Sequence, residues 1–275
     1  DFSSSHAHYP AMNVDAAYPG PDGAGNIWGE EAWRYYLYGY YRIVESVDVR
    51  IGTLLDALET SGQDTDTVVI FTSDHGEGQA AHKWNQKTAL YDESARVPFI
   101  ISQKGVTQAG VIDSEHLVST GEDIIPTLCD YAGVVPPVGL RGMSVRPLAE
   151  GQQVDWRNQV VCETDFFGSV KGRMVRTERY KYTCYYATNT AHNTQRESLI
   201  DMDADPGEMN NLAVNPAYKT ILDNMRWRLK LWCQDTSDTF PIIEPVFDFY
   251  PADLNRDGKV DAKDFALFAE KKRNQ

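Results

Sequence analysis

The chain has 275 residues, 26 of them basic and 40 acidic, so its formal net charge is −14. Hydrophobic residues make up 42% of the sequence, which is enough for a sizeable core and excludes a wholly disordered chain. The acidic excess argues against nucleic acid or an anionic membrane surface as the main partner. No apolar run is long enough to span a bilayer. Because the first residue is Asp1 and not Met, we expect a processed chain or a piece of a longer one.

The four cysteines do not form a metal-binding pattern. Cys129, Cys162, Cys184 and Cys233 contain no C-x-x-C pair and have no histidine at zinc-site spacing, so a structural zinc is not expected. Two interpretations stay open. The cysteines are buried apolar thiols, or they form one or two disulfides in an exported protein.

The first half of the chain alternates between helical and extended patterns. Residues 30–61 repeat apolar side chains at three- and four-residue steps, which predicts a long amphipathic helix. Residues 67–72 and 97–102 are short continuous apolar runs, which predict buried strands of a parallel sheet. Residues 123–131 predict a short helix with a proline in its first turn. This alternation predicts an α/β domain over residues 1–150.

The second half predicts a smaller and different subdomain. Four short strand-like runs separated by polar turns indicate an antiparallel sheet, at residues 159–164, 173–177, 180–186 and 198–202. An amphipathic helix is predicted at residues 215–235. We therefore expect an α+β subdomain over residues 151–238, a linker at 239–251 and a separate tail at 252–275. Residues 1–28 are rich in turn-forming residues and predict an irregular segment.

A chemically distinctive loop follows the first predicted strand, with the sequence Ser-Asp-His-Gly-Glu at residues 73–77. In α/β sheets, ligands bind beyond the carboxyl ends of strands, so Asp74 and His75 could both reach one cation there. Gly76 would let the backbone pass close to it. Farther along, the ammonium of Lys87 would suit an oxyanion such as sulfate or phosphate. For the pentapeptide alone, an ordinary acidic loop with a hydrogen-bonded histidine is the simpler interpretation.

A set of ordered motifs extends from about residue 33 to residue 238. They are Val47-Asp48-x-x-Ile51-Gly52, Ser73-Asp74-His75-Gly76, His82, Trp84, Lys87, Tyr91-x-Glu93-Ser94-x-Arg96-Val97-Pro98, Asp123-Ile124-x-Pro126-Thr127, Met174-Val175-Arg176-Thr177, Tyr180-Lys181-Tyr182 and Asp205-Pro206-Gly207-Glu208-x-x-Asn211-Leu212. Together these motifs resemble the second half of the sulfatase catalytic domain and its C-terminal subdomain. The resemblance implies an alkaline-phosphatase-like α/β fold with a parallel sheet, incomplete in this chain, and a smaller α+β subdomain.

The resemblance also implies a chemistry. In sulfatases a formylglycine made from Cys or Ser is the nucleophile, and a calcium ion holds this nucleophile and the sulfate oxygens. By position, Asp74 and His75 are implied calcium ligands and Lys87 is implied to contact the sulfate. His82 falls near the pocket, where it either binds substrate or hydrogen-bonds a loop. The implied function is hydrolysis of a small-molecule or carbohydrate sulfate ester by a secreted or periplasmic enzyme.

The chain departs from the family pattern in two ways. No Cys or Ser is followed by x-Pro-x-Arg, the motif that is converted to formylglycine, and the paired upstream aspartates of the calcium site are absent. We therefore expect an N-terminally truncated sulfatase that is inactive by itself. Two alternatives stay open: a phosphate or phosphonate ester hydrolase of the same superfamily, and a non-catalytic calcium-binding remnant.

The tail has the spacing of an EF-hand calcium loop. Side-chain ligands at loop positions 1, 3, 5, 9 and 12, and a backbone carbonyl at position 7, would come from Asp253, Asn255, Asp257, Asp261, Asp264 and Lys259. Gly258 at position 6 would permit the sharp turn. The loop resembles a single dockerin-type repeat, which implies a second calcium ion and either a cohesin-like or a cell-surface partner. The alternative is a solvated acidic tail.

Overall fold

The structure is a computed structural model that describes residues 29–83, 87, 89–166, 170–187 and 195–246. The irregular segment predicted at residues 1–28, Trp84 and the calcium loop predicted at residues 253–264 lie outside the described residues. The described residues up to 212 form one compact unit, and those from 213 onward form a second.

A long helix, α1, spans Glu30–Thr60 and confirms the helix predicted at residues 30–61. The chain leaves it through Gly62, whose φ of 71° is a left-handed conformation that glycine adopts readily. Within the described part of the chain, no residue of α1 is fully buried. Its apolar stripe is largely exposed, with Val47 at 45% and Leu54 at 69% exposure.

Strands β1 (Val69–Thr72) and β2 (Phe99–Ser102) pair with each other in a two-stranded sheet. Both predicted strands are confirmed, but the pairing is antiparallel and the prediction of parallel strands is wrong for these two. The reason is that a continuous apolar run does not encode strand direction, and an antiparallel edge strand is common in otherwise parallel sheets. The strands are also less buried than predicted, with Ile100 55% exposed.

Short helices connect these strands to the rest of the unit. Helix α2 (Asp92–Ala95) lies between β1 and β2, and helix α3 spans Thr120–Ala132. Helix α3 begins before the predicted residues 123–131, so Pro126 lies inside the helix and not in its first turn. It ends at Gly133, which caps the helix with a φ of 66°. The other short helices of this unit are the 3-10 turn Ala81–Lys83 and α4, Arg146–Ala149.

The predicted antiparallel sheet is confirmed as a four-stranded sheet in the order β3-β4-β5-β6. Its strands are β3 (Val160–Phe166), β4 (Val170–Arg176), β5 (Tyr180–Ala187) and β6 (Gln195–Asp201). Each strand overlaps the run that predicted it. Val170, Val175, Tyr182 and Leu199 are all 0% exposed, so this sheet carries much of the described core.

The second unit is built around helix α5, Lys219–Thr236, which confirms the helix predicted at residues 215–235. It buries one face, formed by Leu222, Asp223, Met225, Leu229 and Cys233. The 3-10 turns Leu212–Val214 and Pro216–Tyr218 precede it. Among the described residues, no helix combines the length and hydrophobicity needed to cross a membrane.

All four cysteines lie among the described residues, and none of them forms a disulfide bond. Cys184 and Cys233 are buried, and Cys129 and Cys162 are half-buried. Burial raises the pKa of the Cys162 thiol, which keeps it neutral and poorly nucleophilic. The structure therefore agrees with the thiol interpretation and not with disulfides.

Candidate active site

The loop after β1 is shaped by hydrogen bonds between neighbouring residues. Ser73 Oγ donates to the carbonyl oxygen of His75 at 2.7 Å, and the N–H of His75 donates to Asp74 Oδ1 at 2.9 Å. This turn brings the two predicted ligand side chains together, with His75 Nε2 3.5 Å from Asp74 Oδ2. The structure thus places Asp74 and His75 side by side just beyond the end of β1.

The imidazole of His75 presents one nitrogen to the backbone and the other to Asp74. Nδ1 lies 2.8 Å from the carbonyl oxygen of Gly76, and because a carbonyl only accepts, Nδ1 carries the hydrogen. In the neutral ring Nε2 then keeps its lone pair, which is how a metal-binding histidine is commonly oriented. The side chains of Asp74 and His75 are 85% and 37% exposed, so both are accessible from solvent.

Lys87 acts electrostatically on the same carboxylate. The hydrogen bond from the N–H of His75 is the largest cause that lowers the pKa of Asp74, and the positive charge of Lys87 lowers it to a smaller extent. The effect of Lys87 means that its ammonium lies within electrostatic reach of Asp74. The Lys87 side chain is exposed, as a group that meets an anion from solution would be. Asp74 and His75 are therefore adjacent, and Lys87 is linked to them by the effect of its charge on Asp74.

Gly76 joins this loop to helix α2. Its N–H donates to the carbonyl oxygen of Ser94 at 2.8 Å. Its α-carbon faces the backbone of Glu93 so closely that an added Cβ would lie 1.9 Å from the Glu93 carbonyl oxygen. The close approach that glycine permits here is to the backbone of α2, whereas the sequence predicted an approach to a bound cation, and that part stays a prediction.

We expect Gly76→Ala to destabilise the protein by about 1–3 kcal/mol, because backbone must move to admit the methyl group. The control is Gly52→Ala in α1, where an added Cβ meets nothing within 4 Å. Gly52→Ala should be neutral or stabilising, since alanine favours helix. Urea unfolding of both variants measures the difference, and an unchanged stability for Gly76→Ala would show that the loop does not pack against α2 as described.

His82 is placed differently from the other predicted residues. It is 5% exposed, and its ring stacks on the ring of Tyr91 with centroids 3.9 Å apart. Its backbone has a φ of 53°, an uncommon conformation for a residue other than glycine. This burial argues against the substrate-binding role that the sequence left open, and the contact that the structure shows is ring stacking on Tyr91.

The segment after Lys87 is anchored to the antiparallel sheet. Ala89, Leu90 and Tyr91 are buried in one hydrophobic cluster with Val170, Met174 and Tyr185. The Tyr185 hydroxyl accepts a hydrogen bond from the N–H of Leu90 at 2.7 Å. Two further residues anchor it by charge: Lys181 contacts Asp92, and Glu208 accepts from the backbone of Asp92.

Sequence reasoning missed Tyr185, Lys181 and Glu208 as residues of the site. It assigned them to the C-terminal subdomain, far from the loop in sequence. The available signal was the occurrence of Lys181 and Glu208 within motifs that resemble the family, but these motifs do not indicate which side chains meet.

Asp74 and His75 supply only part of the ligand set that a calcium ion requires. Asp74 offers a carboxylate and His75 a directed nitrogen, and both side chains are exposed at one point. Calcium takes six to eight ligands, mostly oxygen. The described residues contain no group of three or more His, Cys, Asp or Glu side chains that could hold a metal. Asp74 and His75 thus fit as a part of such a site.

Two protein families match the sequence. Residues 80–235 match the family described as "N-sulphoglucosamine sulphohydrolase, C-terminal", and residues 2–134 match the family described as "Sulfatase". The first match covers more than half of the chain and contains Lys87 and the antiparallel sheet. The second contains Asp74 and His75.

Individual relatives agree with the family matches. A Delta 4,5-hexuronate-2-O-sulfatase of Bacteroides thetaiotaomicron is 34% identical over 218 residues, covering 78% of this chain and 44% of that protein. The solved structure of a 2-O GAG sulfatase has a TM-score of 0.72 and 33% identity, covering 79% of this chain and 48% of that one. The solved structure of the phosphonate monoester hydrolase of Agrobacterium radiobacter has a TM-score of 0.66 and 29% identity, covering 78% of this chain and 44% of that one. The chain therefore spans less than half the length of each of these three proteins.

Proposed function

Because the chain belongs to the sulfatase family, we propose that the intact protein hydrolyses sulfate esters at the loop that holds Asp74, His75 and Lys87. The predicted α/β fold class with an antiparallel subdomain agrees with the solved sulfatases. The observation that carries the proposal is the adjacency of the Asp74 and His75 side chains at an exposed position just after β1, where the charge of Lys87 also acts on Asp74. A carboxylate, an imidazole and an ammonium group in this region suit the binding of an oxyanion ester together with a cation.

We assign Asp74 and His75 as two ligands of a calcium ion. When bound, calcium would supply positive charge to the sulfate oxygens and to the nucleophile. In this chain, the hydrogen bond from the His75 N–H would help to keep Asp74 ionised. The bond between Nδ1 of His75 and the Gly76 carbonyl oxygen would leave Nε2 available to the ion. The other ligands and the formylglycine nucleophile would come from residues outside this chain, because the sequence has no Cys or Ser followed by x-Pro-x-Arg.

Lys87 would bind the sulfate group directly. Its ammonium supplies three donors and a full charge, it is exposed, and its charge lowers the pKa of Asp74. It would orient the ester and disperse the charge that develops on the sulfate. His82 would keep the loop packed on Tyr91.

A second candidate function is hydrolysis of phosphonate or phosphate esters. It is favoured by the likeness to the phosphonate monoester hydrolase, which the chain resembles at a TM-score of 0.66. The described residues suit either oxyanion, because carboxylate, imidazole and ammonium groups do not distinguish sulfate from phosphonate by charge alone. The nucleophile would decide between the two reactions.

Assay of the intact protein with a sulfate monoester, before and after chelation of calcium, tests the proposal. We expect turnover that is lost on chelation, restored by calcium and absent in Asp74→Ala. The exposed Asp56→Ala on α1 serves as the matched control and should retain activity. Undiminished turnover after chelation or in Asp74→Ala would contradict the assigned metal site.

The tail at residues 252–275 would hold a second calcium ion through the loop of Asp253, Asn255, Asp257, Lys259, Asp261 and Asp264. Four carboxylates in so short a loop repel one another without a cation. A single loop of this kind is expected to bind in the range typical of extracellular modules. We therefore propose a secreted or periplasmic protein whose tail is a stability or attachment module for a cohesin-like or cell-surface partner.

We expect calorimetric titration of residues 1–275 to show calcium binding with a dissociation constant of roughly 10⁻⁵ to 10⁻³ M. Asp257→Ala should abolish this binding, because it removes the ligand at loop position 5. Asp74→Ala is the matched control and should leave the same binding event unchanged. No heat at millimolar calcium would return the tail to the interpretation of a solvated acidic segment.

A further inference from the structure

The ammonium of Lys181 is buried in the core of the antiparallel sheet. The side chain lies on β5 with 0% exposure, and Nζ is 2.8 Å from Asp92 Oδ1 and 2.8 Å from Glu208 Oε1. A buried ion cluster of this kind adds little stability compared with apolar side chains of similar volume. Its presence therefore needs an explanation beyond packing.

The carboxylate of Glu208 contacts both Lys181 and helix α2. While Oε1 contacts Lys181, Oε2 accepts a hydrogen bond from the N–H of Asp92 at 2.6 Å. Asp92 is the first residue of α2, so this carboxylate caps the helix. Glu208 has a φ of 55°, which few residues other than glycine adopt. The backbone thus takes an unfavourable conformation to place this carboxylate.

Helix α2 transmits this placement to the active-site loop. It has only four residues, so a shift at Asp92 moves Ser94 as well. The Ser94 carbonyl oxygen accepts from the N–H of Gly76 at 2.8 Å, next to His75. Gly76 also packs so closely against the Glu93 backbone that a shift of α2 would displace Gly76 as well.

The same strand also fixes the chain before α2. Lys181 and Tyr185 are four residues apart on β5 and therefore face the same side of the sheet. Tyr185 accepts from the N–H of Leu90 at 2.7 Å. Lys87 lies three residues before Leu90, so β5 contacts both the segment that follows Lys87 and the helix that contacts Gly76.

We propose that Lys181, acting through Asp92 and Glu208, is a positioning residue that sets the Asp74–His75 loop relative to Lys87. The catalytic part of this inference rests on the proposed function. The geometric part is independent of it, because it concerns the hydrogen bond from Gly76 to Ser94.

The test compares the double variant Lys181→Met with Glu208→Gln to the wild type in the intact protein. These changes remove the charges of Lys181 and Glu208 while they retain volume. The remaining carboxylate, Asp92, has a side chain that is 23% exposed to solvent, so the core should still fold. The matched control is Lys230→Met with Glu244→Gln, which removes a Lys–Glu pair of 2.7 Å in the second unit. Two quantities are measured in each protein: hydrogen exchange at the Gly76 amide and kcat on a sulfate monoester.

We expect the Lys181 double variant to exchange the Gly76 amide at least about tenfold faster, while amides of α5 keep their rates. On the same proposal kcat should fall at least about tenfold with a smaller change in KM. The control pair should change neither quantity. Unchanged exchange at Gly76, or equal acceleration of all core amides, would overturn the proposal. If the wild type does not hydrolyse sulfate esters but Gly76 still exchanges selectively faster, the proposed function fails and the positioning role stands.

Discussion

Replacing Lys87 by alanine in the intact protein is expected to reduce kcat on a sulfate ester roughly 30- to 1,000-fold, equivalent to about 2–4 kcal/mol. The reason is that Lys87 is exposed and its charge acts on the Asp74 carboxylate, the position where an anionic ester would meet the proposed calcium ion. Deletion of a preorganised cationic donor at developing charge has an effect of this size. Steady-state kinetics of the purified variant provide the measurement.

The control for this prediction is Lys104→Ala. Lys104 is an exposed lysine paired with Asp64 and Glu59, and the described contacts do not involve it in the site loop. Its removal should leave kcat unchanged. Near-normal kinetics for Lys87→Ala, with the fold intact by circular dichroism, would remove Lys87 from the site.

The second large effect is expected for residues 1–275 by themselves, which should show no measurable hydrolysis of sulfate esters. The sequence contains no Cys or Ser followed by x-Pro-x-Arg, and the described residues contain no metal-binding group of three or more side chains. On the proposed mechanism, residues 1–275 would lack the formylglycine nucleophile and most of the calcium ligands, so the reaction itself would be lost and not only part of the binding.

Purified residues 1–275 should be assayed beside the Asp74→Ala variant of the same length, which gives the background rate. The intact protein under the same conditions is the positive control. Turnover by residues 1–275 above the Asp74→Ala background would show that this chain carries a nucleophile of its own. That result would contradict the proposal that the nucleophile comes from residues outside this chain.

Several elements were predictable because their patterns depend on local physics. The amphipathic repeat at residues 30–61 predicted α1, and the alternating runs after residue 156 predicted the antiparallel sheet. Short-range signals were sufficient for these two features. The position of the loop at Asp74 and His75, directly after an apolar strand, followed from the sequence as well, but its assignment as a site depended on the family resemblance.

The pairing of β1 with β2 was not predictable in the same way. Their apolar runs indicate strands, but direction depends on the chain between them and on neighbours that the runs do not specify. Similarly, the stripe on α1 predicts a helix but not what covers it, and Leu54 is 69% exposed.

The anchoring of the site by Lys181 was also beyond the sequence. A lysine between tyrosines in a strand is usually expected to face solvent, since buried lysines are rare without a partner. Its partners, Asp92 and Glu208, lie 89 positions before it and in the turn after β6. Only the three-dimensional structure shows that both carboxylates lie 2.8 Å from the Lys181 ammonium.

The most direct test of the central claim is the ratio of kcat/KM for a sulfate monoester to kcat/KM for the matching phosphonate monoester, measured on the intact protein. The account predicts a ratio well above one, and it predicts that Asp74→Ala lowers both values. A ratio well below one would contradict sulfate ester hydrolysis and would favour the phosphonate candidate. Rates for both esters that do not depend on Asp74 would contradict the site itself.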